Sequence, residues 1–435
     1  MAFEPAETEI DLGGVSVRTW AYNGRVPGPE IRIRKGQRLR ADETNNLPAD
    51  TSMHWHGLAI VNDMDGVPPL TQQPIPAGGR FTYDFVVPDP GTYWAHSHVG
   101  TQLDRGLYLP LIVEDPDERA DYDDELVVVI DDWIDGTGTT PDQVLENLRK
   151  TGMKPMAPGG PMVSPSSPLG MDGGDVTYPY FLINGRVSAD PQVVDVRAGQ
   201  RIRLRIINAG SDTAFRVVVP GTSLHVIQTD GYPVVPTDVS SVILGMGERV
   251  DAVITVDASV PLVAVPEGKD GYAQVNLRVN DAPKAVKLDE FVAAVRQEAP
   301  LNTATLAPTP DVTLPARAPD QVVEARLSGP DAGYTWPING RLYNPPRDGV
   351  PVKPDQRVRV RFVNESMMFH PFHLHGHTFQ VMNADTPRAR KDTVLVAPMQ
   401  TVEMEFDTDN PGKWITHCHN TYHLEAGMAF FFEYV

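Results

Sequence analysis

The sequence predicts an all-β protein built from three consecutive copies of one Greek-key unit, each a sandwich or barrel of short strands. One pattern of residues occurs three times along the 435 residues, at a period far too long for a solenoid. The chain also contains 41 prolines and 36 glycines. This density of turn residues is incompatible with many long helices and favours short strands between turns.

Each copy of the pattern opens with Asn-Gly-Arg and continues to an alternating segment that ends in Asn. The openings are Asn23-Gly24-Arg25, Asn184-Gly185-Arg186 and Asn339-Gly340-Arg341. The alternating segments are 36–45, 199–208 and 355–364. Alternation of polar and apolar residues is typical of strands with one buried face. The repeat therefore predicts three related domains, over 1–118, 119–300 and 301–435.

The boundaries between the units follow changes in composition. The first unit is expected to end near Glu118, within an acidic stretch. Residues 281–320 are rich in Pro, Ala and Thr and predict a linker with one helix over 288–298. A second short helix is predicted at Thr140-Pro141, where a capping residue precedes proline. This helix leads into a predicted mobile loop over 153–174.

The composition excludes several classes of partner. The chain has 37 basic and 57 acidic residues, a net charge of −20, which argues against nucleic acid and against an anionic membrane surface. No apolar run approaches the about 18 residues that a spanning helix needs. A hydrophobic content of 41% with 22% charged residues is ordinary for a folded protein with substantial cores.

Eight of the 12 histidines lie in four His-x-His pairs, which are His54/His56, His96/His98, His373/His375 and His417/His419. Residues i and i+2 of a strand face the same way, so each pair presents two imidazoles side by side. The pairs occur at matched places in the first and third units only. We therefore expect these two units to meet around a shared metal cluster, with the middle unit as a spacer. Satisfied core histidines would explain one pair, but not four pairs in matched repeats.

The single cysteine lies inside the last pair, in His417-Cys418-His419. Its sulfur should point away from the two imidazoles, toward a second site. His370, His423 and Met428 lie close enough in the sequence to complete that site. Two imidazoles, a thiolate and a weak thioether are the ligands of a blue-copper centre, whereas zinc prefers four strong ligands and iron oxygenases usually include a carboxylate. The ligand types therefore favour copper, with dioxygen as the final electron acceptor.

These motifs resemble those of the multicopper oxidases, the family of laccases, ascorbate oxidase and bacterial copper-efflux oxidases. The matching segments are 54–57, 96–98, 370–377 and 417–428. The resemblance covers nearly the whole chain and implies three cupredoxin-like domains. It implies an oxidoreductase whose partners are a small-molecule reductant and O2, and it leaves monomer and homo-oligomer open. The acidic charge predicts neither nucleic acid nor a membrane as partner. Residues 1–12 show no secretory signal. Because most members of this family work outside the cytoplasm, we expect an export leader absent from this sequence, with a cytoplasmic location as the alternative.

Carried over position by position, the resemblance implies four copper ions and their ligands. The type 1 copper would be held by His370, Cys418 and His423, with Met428 axial, and the type 2 copper by His54 and His373. The two type 3 coppers would be held by His56, His96 and His419, and by His98, His375 and His417.

Asp65 is implied as the carboxylate that manages protons near the type 2 copper. A turn residue in Asp65-Gly66 is its alternative interpretation. Three other polar residues near these motifs are predicted to lie outside the metal sites. His377 is expected to be structural, His225 to belong to the core or surface of the middle unit, and Glu425 to be solvated.

The substrate is predicted from the copper ligands. An axial Met428 lowers the oxidising power of a blue-copper site, so we expect easily oxidised donors, with laccase-like activity on phenols and aromatic amines as the main hypothesis. Four methionines lie over 153–171, and soft thioethers select Cu(I). Oxidation of cuprous ion in copper tolerance is therefore the alternative, and incidental methionines in a loop are the plainer interpretation. A non-catalytic copper protein is disfavoured because all twelve ligand positions are filled, and a copper nitrite reductase would lack the four histidine pairs.

Overall fold

A computed structural model describes residues 1–118, 121–152, 163–170, 173–280, 288–345, 347 and 349–435. Over these residues the chain consists mostly of short β-strands, with only short helices between them. The predicted all-β fold is confirmed. The four methionines of residues 153–171 lie outside the described residues.

The first 118 residues form nine strands. They are β1 Ala2–Phe3, β2 Pro5–Asp11, β3 Ser16–Tyr22, β4 Ile31–Arg34, β5 Arg38–Thr44, β6 His54–His56, β7 Arg80–Val86, β8 Gly91–His96 and β9 Tyr108–Glu114. Strands β4, β9, β8 and β6 make a four-stranded sheet in that order, β1, β5 and β7 make a second sheet, and β2 pairs with β3. The Trp55 and Tyr83 side chains lie in the apolar core between them.

The middle of the chain forms two larger sheets. Its strands are β10 Asp124–Trp133, β11 Tyr180–Ile183, β12 Arg186–Val187, β13 Val193–Val196, β14 Gln200–Asn208, β15 Phe215–Val218, β16 Leu224–Thr229, β17 Tyr232–Val239, β18 Ser241–Leu244, β19 Arg249–Val256, β20 Val260–Pro266, β21 Ala273–Val279 and β22 Leu301–Asn302. The sheets have the orders β12-β11-β10-β14-β19-β16-β17 and β13-β21-β20-β15-β18-β22. Because β22 pairs with β18, residues 301–302 belong to the sheets of the middle region, and the domain boundaries stay a prediction.

The last part of the chain forms two five-stranded sheets. Its strands are β23 Gln321–Leu327, β24 Val350–Val352, β25 Arg357–Asn364, β26 His370–Leu374, β27 Phe379–Asn383, β28 Thr386–Lys391, β29 Thr393–Val396, β30 Thr401–Asp407, β31 Lys413–Cys418 and β32 Ala429–Tyr434. The orders are β23-β25-β30-β27-β28 and β24-β32-β31-β26-β29. Among the described residues no sheet closes on itself, so the units are sandwiches rather than barrels.

Three α-helices connect the described strands: α1 Pro141–Thr151, α2 Leu288–Val295 and α3 Thr421–Glu425. Helix α1 begins as predicted, because the Thr140 hydroxyl accepts from the Gln143 N–H and the Gln143 side chain accepts from the Thr140 N–H. Helix α2 ends three residues before the predicted Glu298. Within the described ranges, no helix is both long and apolar enough to cross a membrane.

Strand β14 differs from the predicted half-buried pattern. Its arginines alternate with apolar residues, but Arg203 and Arg205 are only 1% and 2% exposed. Both guanidinium groups contact Asp251, and Arg205 also donates to Glu125 at 2.6 Å. Paired acidic groups make it possible to bury this charged face. The spacing of apolar residues alone does not reveal such pairing.

A buried carboxyl group predicts a pH-dependent stability. Glu43 in β5 is 1% exposed, and neither of its carboxyl oxygens has a hydrogen-bond partner among the described residues. Burial raises the pKa of Glu43 from 4.5 to about 8. The unfolded chain therefore releases this proton at lower pH than the folded chain, and stability is lost as pH rises from about 4.5 to about 8.

We expect Glu43→Gln, which stays neutral, to raise the free energy of unfolding at pH 8 by on the order of 4 kcal/mol. The gain should nearly vanish near pH 4.5. Urea denaturation at the two pH values measures both, with the exposed Glu4→Gln as control. An equal effect of Glu43→Gln at both pH values would show that Glu43 does not titrate as stated.

Candidate metal centre

Strand pairing in the first repeat places three imidazoles on one face. Strand β6 pairs with β8 so that His54 lies opposite His96 and His56 lies opposite Trp94. Residues directly opposite each other in an antiparallel pair project to the same side of a sheet. The His54, His56 and His96 side chains therefore share one face, and all three are at most 3% exposed.

Strand pairing in the last repeat separates two sites. Strand β26 pairs with β31 so that His373 lies opposite His417, while Phe372 lies opposite Cys418. Since successive side chains of a strand alternate between faces, Cys418 projects away from His417 and toward the face that carries His370. The Cys418 sulfur thus points away from the imidazoles of His417 and His419, as the alternation of side chains in the sequence predicts.

The two ends of the chain meet at these histidines. Three groups of imidazoles have ligand nitrogens within 4.8 Å of one another: His54, His56 and His373; His56, His96 and His419; and His98, His375 and His417. Contacts join the repeats directly, with His56 Nδ1 at 3.2 Å from His419 Nε2 and His98 Nε2 at 3.4 Å from His417 Nε2. All eight paired histidines of the sequence therefore lie in one cluster.

Hydrogen bonds orient four of these eight rings in one way. The Nδ1 atoms of His54, His96, His373 and His417 each lie 2.8–2.9 Å from a backbone carbonyl oxygen. A carbonyl only accepts, so Nδ1 carries the proton and Nε2 keeps its lone pair. The Nε2 atoms of His54, His96 and His373 are buried, and they have no hydrogen-bond partner in the part of the chain that the structure describes.

Burial also sets the charge of the cluster. It lowers the pKa of His96, His98, His375 and His419 well below the usual range, and neighbouring imidazoles lower it further. The same causes lower the pKa of His417 to about 3. Neutral imidazoles with free lone pairs are metal ligands. The orphaned nitrogens and the imidazole-only donor set therefore fit copper.

The second site lies on the other face of β31. The Cys418 sulfur is 3.6 Å from His370 Nδ1 and 3.4 Å from His423 Nδ1, and these three residues are 0% exposed. Met428 is equally buried, and its carbonyl accepts from the Cys418 N–H at 3.1 Å. The outer nitrogen of His370 contacts Ser366 Oγ at 2.8 Å, which leaves its Nδ1 directed at the sulfur.

The outer nitrogen of His423 faces a carboxylate. His423 Nε2 lies 2.9 Å from Asp175 Oδ2, and the Tyr334 hydroxyl donates to the same oxygen. The Trp336 ring packs against the His423 ring, with centroids 4.1 Å apart. Burial alone would lower the pKa of His423, but Cys418 and Asp175 raise it to about 10. These residues cover the outer edge of the His423 ring.

Asp65 lies at the cluster and also forms a turn. It is 1% exposed, and its carboxylate oxygens lie 3.2 Å from His54 Nδ1 and 3.1 Å from His375 Nδ1. Gly66 has a φ of +83°, and a Cβ there would lie 1.9 Å from the Met53 carbonyl oxygen. The turn therefore brings the Asp65 carboxylate to the imidazoles, and the role of this carboxylate in managing protons stays a prediction.

Three residues that the sequence excludes from the metal sites contact other groups. His377 Nε2 contacts the Tyr434 hydroxyl at 2.7 Å. His225 pairs with Asp238 at 2.8 Å on the surface of the middle repeat. Glu425 is half-buried in α3 rather than fully solvated. Burial raises the pKa of its carboxyl group.

Sequence reasoning misses four side chains around the two sites. They are Asp175, Trp336, Arg249 and Asp392. None belongs to a repeated pattern. Asp175 and Arg249 come from the middle of the chain, whereas Trp336 and Asp392 belong to the last part, with Asp392 19 positions from His373. The one available signal is weak: Lys391 and Asp392 are adjacent charges directly before the apolar run of β29.

Comparisons with known proteins agree with this arrangement. Family models described as multicopper oxidase match residues 6–118, 124–262 and 316–435. Multicopper oxidase MmcO of Mycobacterium tuberculosis is 45% identical over 445 residues, which cover 99% of this chain and 86% of that protein. A laccase of Pycnoporus cinnabarinus is 32% identical, covering 97% of this chain and 86% of that protein.

Solved structures show the same fold. A multi-copper oxidase from Pseudomonas thermotolerans matches with a TM-score of 0.76 and 26% identity, covering 100% of this chain and 98% of that one. Fet3p, a multicopper oxidase that functions in iron import, matches with a TM-score of 0.83 over 100% of this chain and 90% of that one. At 22% identity that second likeness concerns the fold alone.

The family models cover the first, middle and last parts of the chain, and the relative with 45% identity spans nearly all of it. Family membership implies copper as cofactor, a reducing substrate and O2 as the reactants. The chain is an oxidoreductase and belongs to the multicopper oxidase family.

Proposed function

We propose that this protein oxidises small reductants by one electron each at the Cys418 site and reduces O2 to water at the histidine cluster. One observation carries the proposal: eight imidazoles from the two ends of the chain converge on the opposite face of the strand that carries Cys418. We propose the ligand sets and the four copper ions as the sequence predicts them, with Asp65 as the carboxylate that handles protons. Domain boundaries and a location outside the cytoplasm likewise stay predictions.

Copper would supply one-electron acceptance at His370, Cys418 and His423, and reduction of O2 at the histidine cluster. The chain itself joins the two sites. His417 and His419 are the sequence neighbours of Cys418, and the Cys418 carbonyl accepts from His417 Nδ1 at 2.9 Å. Electrons thus have a short path through one side chain and one peptide. Burial of the Cys418 site excludes water from it.

Laccase-like oxidation of phenols and aromatic amines is the donor chemistry that we propose first. Its support is the predicted axial Met428, which favours easily oxidised donors, and the likeness to a laccase. Oxygen consumption with a panel of phenols, aromatic amines and Cu(I), on copper-loaded protein, tests the proposal. No oxygen uptake with any of these donors by protein loaded with copper would contradict it.

Cuprous ion is a second candidate donor, and the cover of His423 favours it. His423 and Asp175 are buried at the Cys418 site, and the carboxylate occupies the histidine edge. The ring of an aromatic donor would have no direct contact with His423 in this arrangement, whereas a cation would be attracted by the Asp175 carboxylate. A relative from Pseudomonas syringae, 26% identical, is described as a copper resistance protein A homolog.

Asp175→Asn separates the two donors. If Cu(I) is the substrate, loss of the charge should lower kcat/KM for Cu(I) by at least about tenfold, since about 1.4 kcal/mol of charge interaction corresponds to that factor. Because Asp175 also contacts the copper ligand His423, part of the loss should appear with a neutral phenol as well, and the loss with Cu(I) should exceed it by about tenfold. Asp238→Asn, at the matched His225–Asp238 pair, is the control. Equal losses for Cu(I) and phenol would exclude a dedicated cuprous role for Asp175.

A further inference from the structure

A buried ion pair joins the middle repeat to the histidine cluster. Arg249, at the start of β19, donates from Nη1 and Nη2 to the two carboxylate oxygens of Asp392 at 2.7 and 2.6 Å. Both side chains are 0% exposed, and the residues are 143 positions apart in the sequence. A bidentate pair of this kind fixes the orientation of the carboxylate as well as its charge.

Asp392 contacts two of the cluster imidazoles. Its Oδ1 lies 3.1 Å from His56 Nε2 and 3.4 Å from His373 Nδ1. An ionised carboxylate only accepts hydrogen bonds, so in this contact His56 carries its proton on Nε2. The lone pair of His56 is then on Nδ1, which lies 3.2 Å from His419 Nε2. His56 thus keeps its lone pair on Nδ1, whereas the imidazoles whose Nδ1 contacts a backbone carbonyl keep theirs on Nε2.

The middle repeat also packs directly against these rings. A Cβ at Gly247 would lie 2.9 Å from His56 Cε1 and 2.9 Å from His419 Cδ2, where φ is +86°. A Cβ at Gly57, where φ is +90°, would lie 2.5 Å from Arg249 Nη2. No larger side chain fits at either position without displacing the ring or the guanidinium. The two glycines therefore allow the approach of Arg249 to the cluster.

Arg249 is itself held from several sides. Its Nε donates to the Thr92 carbonyl at 3.1 Å, and its Nη1 donates to the Gly247 carbonyl at 3.1 Å. Asp230 Oδ1 lies 3.6 Å from Nη1, and the Tyr93 ring lies under the guanidinium. Residues of the first, middle and last repeats thus converge on one guanidinium group. A middle repeat that served only as a spacer between the other two would need none of these contacts.

We propose that Arg249 is a positioning residue for the copper cluster, because it holds Asp392 where that carboxylate keeps His56 Nδ1 directed at the metal. This inference rests on the proposed function. Partners that orient a metal ligand typically contribute about 10–100-fold to metal affinity. The effect of removing Arg249 should therefore appear at the histidine cluster and not at the Cys418 site.

The test compares Arg249→Gln, Arg249→Lys and a control, Arg216→Gln, in protein loaded with copper. Arg216 is equally buried in the middle repeat and pairs with Glu267 at 2.9 Å. Its other hydrogen bonds go to the backbone carbonyls of Ser166, Val295 and Glu298. Copper is removed with a chelator and counted per chain, while the blue absorption of the Cys418 site and the electron paramagnetic resonance signal of non-blue copper are followed. In Arg249→Gln, the chelator concentration that removes the cluster copper should be at least about tenfold lower than for the parent protein. The blue absorption should be unchanged.

Arg249→Lys keeps the charge but not the bidentate geometry, so its copper retention should lie between those of Arg249→Gln and the parent protein. If Arg249→Gln does not fold, Arg249→Lys alone tests the inference. It should then retain cluster copper more weakly than the parent protein and show an altered paramagnetic signal of the non-blue copper. Retention equal to the parent in the folded Arg249 variants, or equal losses in Arg216→Gln, would overturn the inference. A parent protein that binds no blue copper would instead refute the proposed function.

Discussion

Cys418→Ser is expected to abolish the blue colour and to reduce donor oxidation to the background rate. A serine hydroxyl stays protonated near neutral pH and cannot replace a thiolate as a copper ligand. The substitution is nearly isosteric at a fully buried position, so the fold should persist. Visible absorption, circular dichroism and oxygen uptake with a phenol measure the three outcomes.

Copper in the histidine cluster should survive this change, because no cluster imidazole is altered. The non-blue paramagnetic signal therefore serves as the internal control for Cys418→Ser. A variant that stays blue would show that the sulfur of Cys418 is not a copper ligand.

His96→Ala should have the converse effect. The His96 imidazole is 3% exposed. Its Nε2 has no hydrogen-bond partner among the described residues, and its ligand nitrogen lies within 4.8 Å of those of His56 and His419. Its removal takes one ligand from the cluster but leaves the Cys418 face of β31 untouched. The blue absorption should persist, while oxygen reduction should fall by about 100-fold or more. Loss of a group that only orients a metal ligand lowers activity by up to about 100-fold, and loss of the ligand itself should lower it at least as much.

The matched control for His96→Ala is His225→Ala, at the surface pair with Asp238. We expect this control to consume oxygen at the parent rate. Oxygen uptake at the parent rate by His96→Ala itself would contradict the assignment of His96 to the cluster. Loss of the blue absorption together with oxygen uptake would also contradict it, since the two sites would then not be separable.

Strand periodicity accounts for most of what the sequence predicts about these sites. The alternation of side chains in His417-Cys418-His419 requires two faces, and β31 has them. The repeat of the histidine pairs requires that the first and last repeats meet, and they do. These inferences succeed because side chains of a strand alternate between its two faces with a period of two, and because repeated units place matching residues at matching positions of the same fold.

Contacts between repeats are what the sequence does not reveal. Arg249 reaches Asp392, and Asp175 reaches His423, across 143 and 248 positions respectively. No period or spacing links such residues, because their proximity depends on how finished units pack. The burial of the arginines of β14 has a more local cause: their acidic partners Asp251 and Glu125 lie on β19 and β10, the strands on either side of β14 in the same sheet. An isolated strand pattern therefore underestimates their burial.

The copper content of catalytically active protein tests the central claim most directly. We expect four copper ions per chain, and in Cys418→Ser the loss of the blue ion alone. Metal analysis of purified, loaded protein, combined with oxygen uptake on the same sample, gives both numbers. An active protein that holds copper only at the Cys418 site, or that is fully loaded with another metal and still consumes oxygen normally, would contradict the account.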